Sequence, residues 1–156
     1  QKGASPEQVV LLDQALRRWV DVLGVDPSLA EQPGMGAAGG CAFGLAAVCG
    51  ATLRAGAALV CDLVGLDAAL VGADLVLTGE GRLDASTAEG KAPAEVARRA
   101  AAAGVPCVAL AGSVELPVDP LYSEAVTIGA GLSLEESCAR AAELLAARAA
   151  EVLRRR

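Results

Sequence analysis

Residues 74–78 read Asp74-Leu75-Val76-Leu77-Thr78, a short apolar run with the length of a buried strand. A polar, glycine-containing loop is predicted from Gly79 to Lys91. From Ala92 to Ala103 the pattern predicts a helix, with Pro93 in its first turn and Gly104 at its C-terminal end. Cys107-Val108-Ala109-Leu110-Ala111 then repeats the character of the first run and predicts a second buried strand. Strand, loop, helix and strand in that order imply a parallel pair joined by a right-handed crossover. Ala125 to Ile128 predicts a third strand, so the chain is expected to be α/β.

On the N-terminal side, Ser5, Pro6 and Gln8 form a helix-start signature with a capping box. Val9, Leu12, Leu16, Trp19, Val20 and Leu23 follow at helical spacing, and Gly24 stops the run. A glycine-rich stretch leads into a predicted buried helix from Phe43 to Leu53. Ala57 to Val64 suits strand or helix by pattern, with helix preferred. Asp67 is expected to cap a short turn through Leu70. On the C-terminal side, Ser133 and Glu136 form a second capping box. The helix they open is predicted to reach the C-terminus with Leu134, Cys138, Ala141, Leu145, Ala149 and Val152 facing inward. No internal repeat is visible, and a domain boundary is placed near Gly65 to Gly72.

Composition narrows the function classes. The 156 residues are 54% hydrophobic, which excludes disorder, and only 2% aromatic, which argues against a stacking platform for bases or sugars. A net charge of −6 disfavours nucleic acid, because neutralising phosphates needs a basic face. Arg154-Arg155-Arg156 is better placed to complement a helix dipole. The five cysteines stand singly and the chain has no histidine, so a zinc site or disulfide framework is not expected. They read as small buried hydrophobes in a reducing, cytoplasmic compartment. Gln32 to Leu53 carries no charge and holds Gly36, Gly40 and Gly44 at GxxxG spacing. Its Pro33-Gly34 pair and its lack of bulky apolar residues disfavour a membrane span. The opening Gln1-Lys2-Gly3, with neither methionine nor secretory leader, reads as the middle of a longer protein.

Open α/β sheets bind ligands beyond the carboxyl ends of their strands. The predicted loop Thr78-Gly79-Glu80-Gly81-Arg82-Leu83-Asp84 leaves a strand at that place. It offers a hydroxyl, two carboxylates, a guanidinium and open backbone, and Lys91 follows just before the next helix. A helix N-terminus beside a lysine and glycine amides suits a phosphate. Glu80 or Asp84 could hold Mg²⁺ or accept a proton from an attacking hydroxyl. These are the parts of phosphoryl transfer. A polar surface loop whose charges pair among themselves has the same composition. Two familiar motifs fail. Gly34-Met35-Gly36-Ala37-Ala38-Gly39 spells GxGxxG but follows Glu31-Gln32-Pro33 rather than a strand. Gly90-Lys91 is followed by Ala92, where a P-loop needs Ser or Thr. The glycine run still suits either close backbone approach to an anion or tight helix packing. Lys2 is a lone cation, and Ser113 follows the second strand where a ligand contact would sit.

Taken in order, four stretches resemble the bacterial-type glycerate kinases, the D-glycerate 2-kinase family. They are Gln1-Lys2-Gly3-Ala4, Gly34-Met35-Gly36-Ala37-Ala38-Gly39-Gly40, Ala73 through Asp84 (ADLVLTGEGRLD), and Gly90-Lys91-Ala92-Pro93 with Val96-Ala97. The resemblance implies ATP- and Mg²⁺-dependent phosphorylation of D-glycerate to phosphoglycerate. It implies half of a flavodoxin-like parallel-sheet domain plus the end of an inserted α/β domain. The expected division is 1–72 for the inserted domain and 73–156 for the flavodoxin-like half. An N-terminal part, opening with a strand and a DSFKG-type loop, is missing from this sequence and is an expected partner. By the same resemblance, Asp84 is the preferred base, and Glu80 and Asp84 are candidate metal ligands. Arg82 and Lys91 are candidates for the glycerate carboxylate or phosphate. Thr78, Gly79, Gly81, Gly36, Gly39, Gly40 and Lys2 complete the candidate binding set. Ser86 and Glu95 stand where the family usually has Gln and Gly. The alternative reading is a non-catalytic α/β domain that binds a small ligand or nucleotide. A third is a structural piece with no function of its own.

Overall fold

The computed structural model describes residues 3–88, 90–115 and 117–155; Gln1, Lys2 and Arg156 lie outside them. Its contacts divide the chain into two units, Gln1–Arg54 and Ala55–Arg156.

In the first unit, helix α1 (Pro6–Leu23) starts as the sequence predicts. The Ser5 hydroxyl accepts from the Gln8 amide at 3.3 Å, and the Gln8 side chain accepts from the Ser5 amide at 2.9 Å. Gly24 closes it in the left-handed region. The apolar stripe is only partly used. No α1 residue is fully buried, and Val9, Val10, Leu11, Leu12 and Val22 are exposed. Helix α2 (Ala37–Cys49) opens with a left-handed turn through Ala38, Gly39 and Gly40, at φ of 52°, 68° and 85°. Only glycine adopts such angles freely. Trp19 meets Phe43 edge-on with ring centroids 5.4 Å apart. A Cβ on Gly40 would come within 2.8 Å of Leu16, and one on Gly44 would collide with the Trp19 ring. These two members of the GxxxG series therefore admit large side chains from α1. The predicted buried helix ends early, at Gly50, and buries only Gly40 and Phe43. Among the described residues no helix is long and apolar enough to cross a membrane.

The second unit begins with α3 (Gly56–Leu63) and α4 (Leu66–Leu70). The preferred helix over 57–64 is thus present. Asp67 does not cap α4, whose N-cap is Gly65 in the left-handed region. Instead its carboxylate accepts from Arg99 at 2.9 Å. Strand β1 (Val76–Leu83), helix α5 (Ala92–Ala102), strand β2 (Cys107–Val114) and strand β3 (Glu124–Thr127) follow. The sheet order is β1-β2-β3 and both pairings are parallel, as the strand–helix–strand pattern requires. β2 is the buried strand, with Cys107 through Ala111 all at 5% exposure or less. β1 is a half-buried edge strand, contrary to the expectation of full burial.

Arg99 of α5 is buried and ties three helices together. It donates to Glu95 on its own helix, to Asp62 and the Ala58 carbonyl on α3, and to Asp67 on α4. Composition placed a boundary near Gly65 to Gly72, whereas the compact units divide at Arg54–Ala55. The final helix is broken in two: α6 (Leu134–Ala139) and α7 (Ala141–Arg154) are separated at Arg140, φ −110° and ψ 15°. Of its predicted inward face, Val152 is buried and Ala149 packs beside it on Val108 and Leu110. Leu134, Leu145 and Cys138 are exposed. Cys41 and Cys49 are exposed too, so only Cys61 and Cys107 behave as buried hydrophobes.

Candidate functional site

The main departure from the sequence reading lies at Gly79. The chain stays extended through Leu83, so Gly79 to Leu83 belongs to β1 and only residues after it form the turn. The glycines serve close strand approach. A Cβ on Gly79 would overlap the Leu110 carbonyl oxygen, and one on Gly112 would lie 2.6 Å from the Gly81 carbonyl oxygen. The parallel register pairs Thr78 with Ala109, Glu80 with Ala111 and Arg82 with Ser113. Strand alternation puts Thr78 and Glu80 on the same face as Val76. That is the face packed against Ala97 and Ala100 of α5.

Glu80 therefore meets the groups that precede α5. Thr87, in a short 3₁₀ turn (Ala85–Ala88), is only 3% exposed. Its hydroxyl donates to Glu80 Oε1 at 2.6 Å and accepts from the Asp84 amide at 3.1 Å. Lys91, at the N-cap of α5, places Nζ 3.4 Å from Glu80 Oε2 and 3.9 Å from Asp84 Oδ1. Asp84 Oδ1 also accepts from the Ser86 amide at 2.9 Å and the Ser86 hydroxyl at 2.5 Å. Arg82 reaches Asp84 Oδ2 at 3.3 Å and pairs with Glu115 at the end of β2. The Ser86 hydroxyl first, then the Ser86 amide and the Lys91 and Arg82 charges, hold Asp84 below the usual carboxylate range, against partial desolvation. The carboxylate is thus ionised at neutral pH. Ser86 fixes Asp84 from inside the turn.

The structure thus brings Glu80, Arg82, Asp84 and Lys91 into one network. Thr78 is half-buried on β1, while Gly79 and Gly81 expose their backbone. Gly36 and Gly39 belong to the other unit and face open space, whereas Gly40 is a packing residue. Lys2 is outside the described residues. Among the described residues no cluster of three metal-ligating side chains forms. Two hard carboxylate donors still suit Mg²⁺, which commonly takes one or two carboxylates beside water and phosphate oxygens.

Three residues were missed in the sequence. Thr87 stands three residues after Asp84, a spacing that favours a side-chain-capped turn and was the available signal. Glu115 partners Arg82 from a strand 33 residues away, which no local pattern reveals. Tyr122 is 8% exposed, and its hydroxyl has no hydrogen-bond partner among the described residues. Burial foremost, then the nearby Cys107, Glu80 and Asp119, push its phenol up to about 12.

A model of the glycerate kinase family matches residues 1–156. A glycerate kinase from Bacillus cereus is 42% identical over 125 residues, covering 79% of this chain and 32% of the relative. The glycerate 2-kinase of Escherichia coli K12 is 34% identical over 139 residues, covering 83% of this chain and 36% of the relative. A crystal structure assigned as glycerate kinase 2 from Salmonella typhimurium LT2 superposes with a TM-score of 0.58 at 41% identity. It covers 81% of this chain and 33% of that one. The chain thus spans about a third of the length of these relatives.

Proposed function

Because the chain belongs to the glycerate kinase family, we propose that it supplies part of an enzyme that phosphorylates D-glycerate from ATP. The observation that carries this is the network at the end of β1, where two carboxylates, a lysine and a guanidinium converge on the approach to α5. A loose phosphoryl-transfer transition state asks for positioning and charge neutralisation rather than a strong base. Asp84, held ionised, accepts the proton of the attacking glycerate hydroxyl. Glu80 is fixed by Thr87 and Lys91, so its free lone pairs are aimed before a ligand arrives. Lys91 neutralises phosphate charge beside the amides at the start of α5. Arg82, exposed, can turn its planar fork from Glu115 to the glycerate carboxylate. Gly36 and Gly39, open at their Cα atoms, are backbone contacts for an anionic ligand. Glu80 and Asp84 would hold Mg²⁺, which when bound supplies charge neutralisation on the transferring phosphoryl oxygens.

The division at 72/73 into an inserted domain and a flavodoxin-like half belongs to the same reading. So does a reducing, cytoplasmic setting, which suits five unpaired thiols. The chain is expected to be inactive alone, since a site made by a larger enzyme is incomplete in a third of it. Joined to the remaining segments of a full-length family member, it should release ADP from ATP only when D-glycerate is added. Release by the joined enzyme without D-glycerate dependence would contradict the assignment. So would turnover by this chain alone contradict the claim of incompleteness.

A further inference from the structure

Strand β1 is an open edge of the sheet among the described residues, since the strand order is β1-β2-β3. It has eight residues against four in β3 at the other edge. It therefore presents the longer row of unpaired backbone donors and acceptors. Parallel sheets are normally covered on both faces. Here α5 covers the face of Cys107, Ala109 and Ala111. On the opposite face α7 sets Val152 and Ala149 against Val108 and Leu110. Over β1 that face is left as a groove of about 520 Å³, lined mostly by Leu77, Gly79, Leu110, Ile128, Leu145 and Ala149. Leu77 is 37% exposed and Leu145 is 45% exposed, so a bare aliphatic strip runs beside α7. The chain spans about a third of its glycerate kinase relatives, which leaves ample length outside it for further strands and helices. Handedness decides which face such an addition uses. From β1 to β2 the right-handed crossover places α5 on one face. A connection leading the other way, outward from a strand beside β1, must cross on the opposite face. That is the face with the groove.

We propose that β1 accepts a further parallel strand from the part of the enzyme outside this chain, and that the helix following that strand packs into the groove between Leu77 and Leu145. This rests on the reading of the chain as part of a larger kinase, and it puts a reversal of strand order directly beside β1. Open α/β sheets bind ligands at such a reversal, beyond the carboxyl ends of the strands. Glu80, Asp84 and Lys91 gather at that end of β1, so the added strand brings the rest of the site to them. The test compares amide exchange in this chain alone and in the joined enzyme. In the joined enzyme the outward amides of β1 should exchange roughly tenfold or more slowly, while those of β3 stay as they are. Leu145→Glu should lower the urea midpoint of the joined enzyme by roughly 0.5 M and that of the chain alone much less. If the joined variant does not fold, Leu145→Ala takes its place, with the same difference expected. Unchanged exchange at β1, slowing at β3 instead, or an equal effect of the substitution on both proteins would each overturn the proposal. So would exchange at β1 that slows in the chain alone as its concentration rises, which gives the edge to a second copy. If β1 is protected as stated and D-glycerate-dependent ADP release is absent, the docking surface stands and the glycerate reading falls. If release is present and β1 is unprotected, the docking surface alone is wrong.

Discussion

Replacing Thr87 by valine removes one hydroxyl from the centre of the network and keeps the shape of the side chain. Thr87 is 3% exposed, and its hydroxyl makes two hydrogen bonds, donating to Glu80 at 2.6 Å and accepting from the Asp84 amide at 3.1 Å. A hydrogen bond to a charged group contributes about 1.5–3 kcal/mol, and an amide left without a partner costs about 1–3 kcal/mol. Glu80 keeps Lys91 and some access to water, so the net loss from Thr87→Val should be about 2–3 kcal/mol. With a urea dependence of about 2 kcal/mol per molar, the unfolding midpoint should fall by about 1–1.5 M. Thr87→Ser keeps the hydroxyl and loses one methyl group, worth about 0.8 kcal/mol. The assay is urea unfolding of all three proteins, followed by circular dichroism. The order of stability should be threonine, serine, valine. A valine variant as stable as the serine variant would refute the claim that Thr87 organises Glu80 and Asp84.

Arg99→Met leaves Glu95, Asp62 and Asp67 facing one another without their common cation. The thermal midpoint should drop by roughly 10 °C or more in a melt followed by circular dichroism. Hydrogen bonds from Arg98 and then Arg99 lower the Glu95 pKa to about 2 from 4.5. Its contribution to stability is therefore complete above about pH 4.5 and disappears as pH falls toward 2. Unfolding midpoints across that window should decline in the wild type, and less steeply in Glu95→Gln. Gly112→Ala forces a Cβ to within 2.6 Å of the Gly81 carbonyl, so the strands must part. It should destabilise by about 1–3 kcal/mol in urea unfolding.

The elements that local chemistry governs were legible in the sequence. Both capping boxes, the left-handed Gly24 and the strand–helix–strand order came from residues within a few positions of one another. The errors arose where distant backbone decides. TGEGRL carries three polar groups and two glycines, which locally spell a turn. It is nevertheless strand, because Gly79 and Gly81 lie against Leu110 and Gly112 of β2. Asp67 had the look of a cap and was claimed by Arg99, 32 residues away. The charged members of the candidate site were readable as residue types at a strand end. Thr87 offered only its three-residue spacing from Asp84, while Glu115 and Tyr122 offered no local signal, since their places come from the second strand and the segment 117–122. The unburied apolar stripes of α1 and α2 mark the limit of periodicity: spacing finds a face but does not say what covers it.

The central claim is that the carboxylate pair at the end of β1 works in phosphoryl transfer to D-glycerate. Asp84→Asn tests it most directly, because it removes the charge and proton-accepting capacity while preserving size. The measurement is D-glycerate-dependent ADP release by the joined enzyme, beside its circular dichroism spectrum. The account predicts an intact fold and turnover lowered by about 10²–10⁴-fold. Near-normal turnover in the folded variant would contradict it and remove Asp84 from the mechanism.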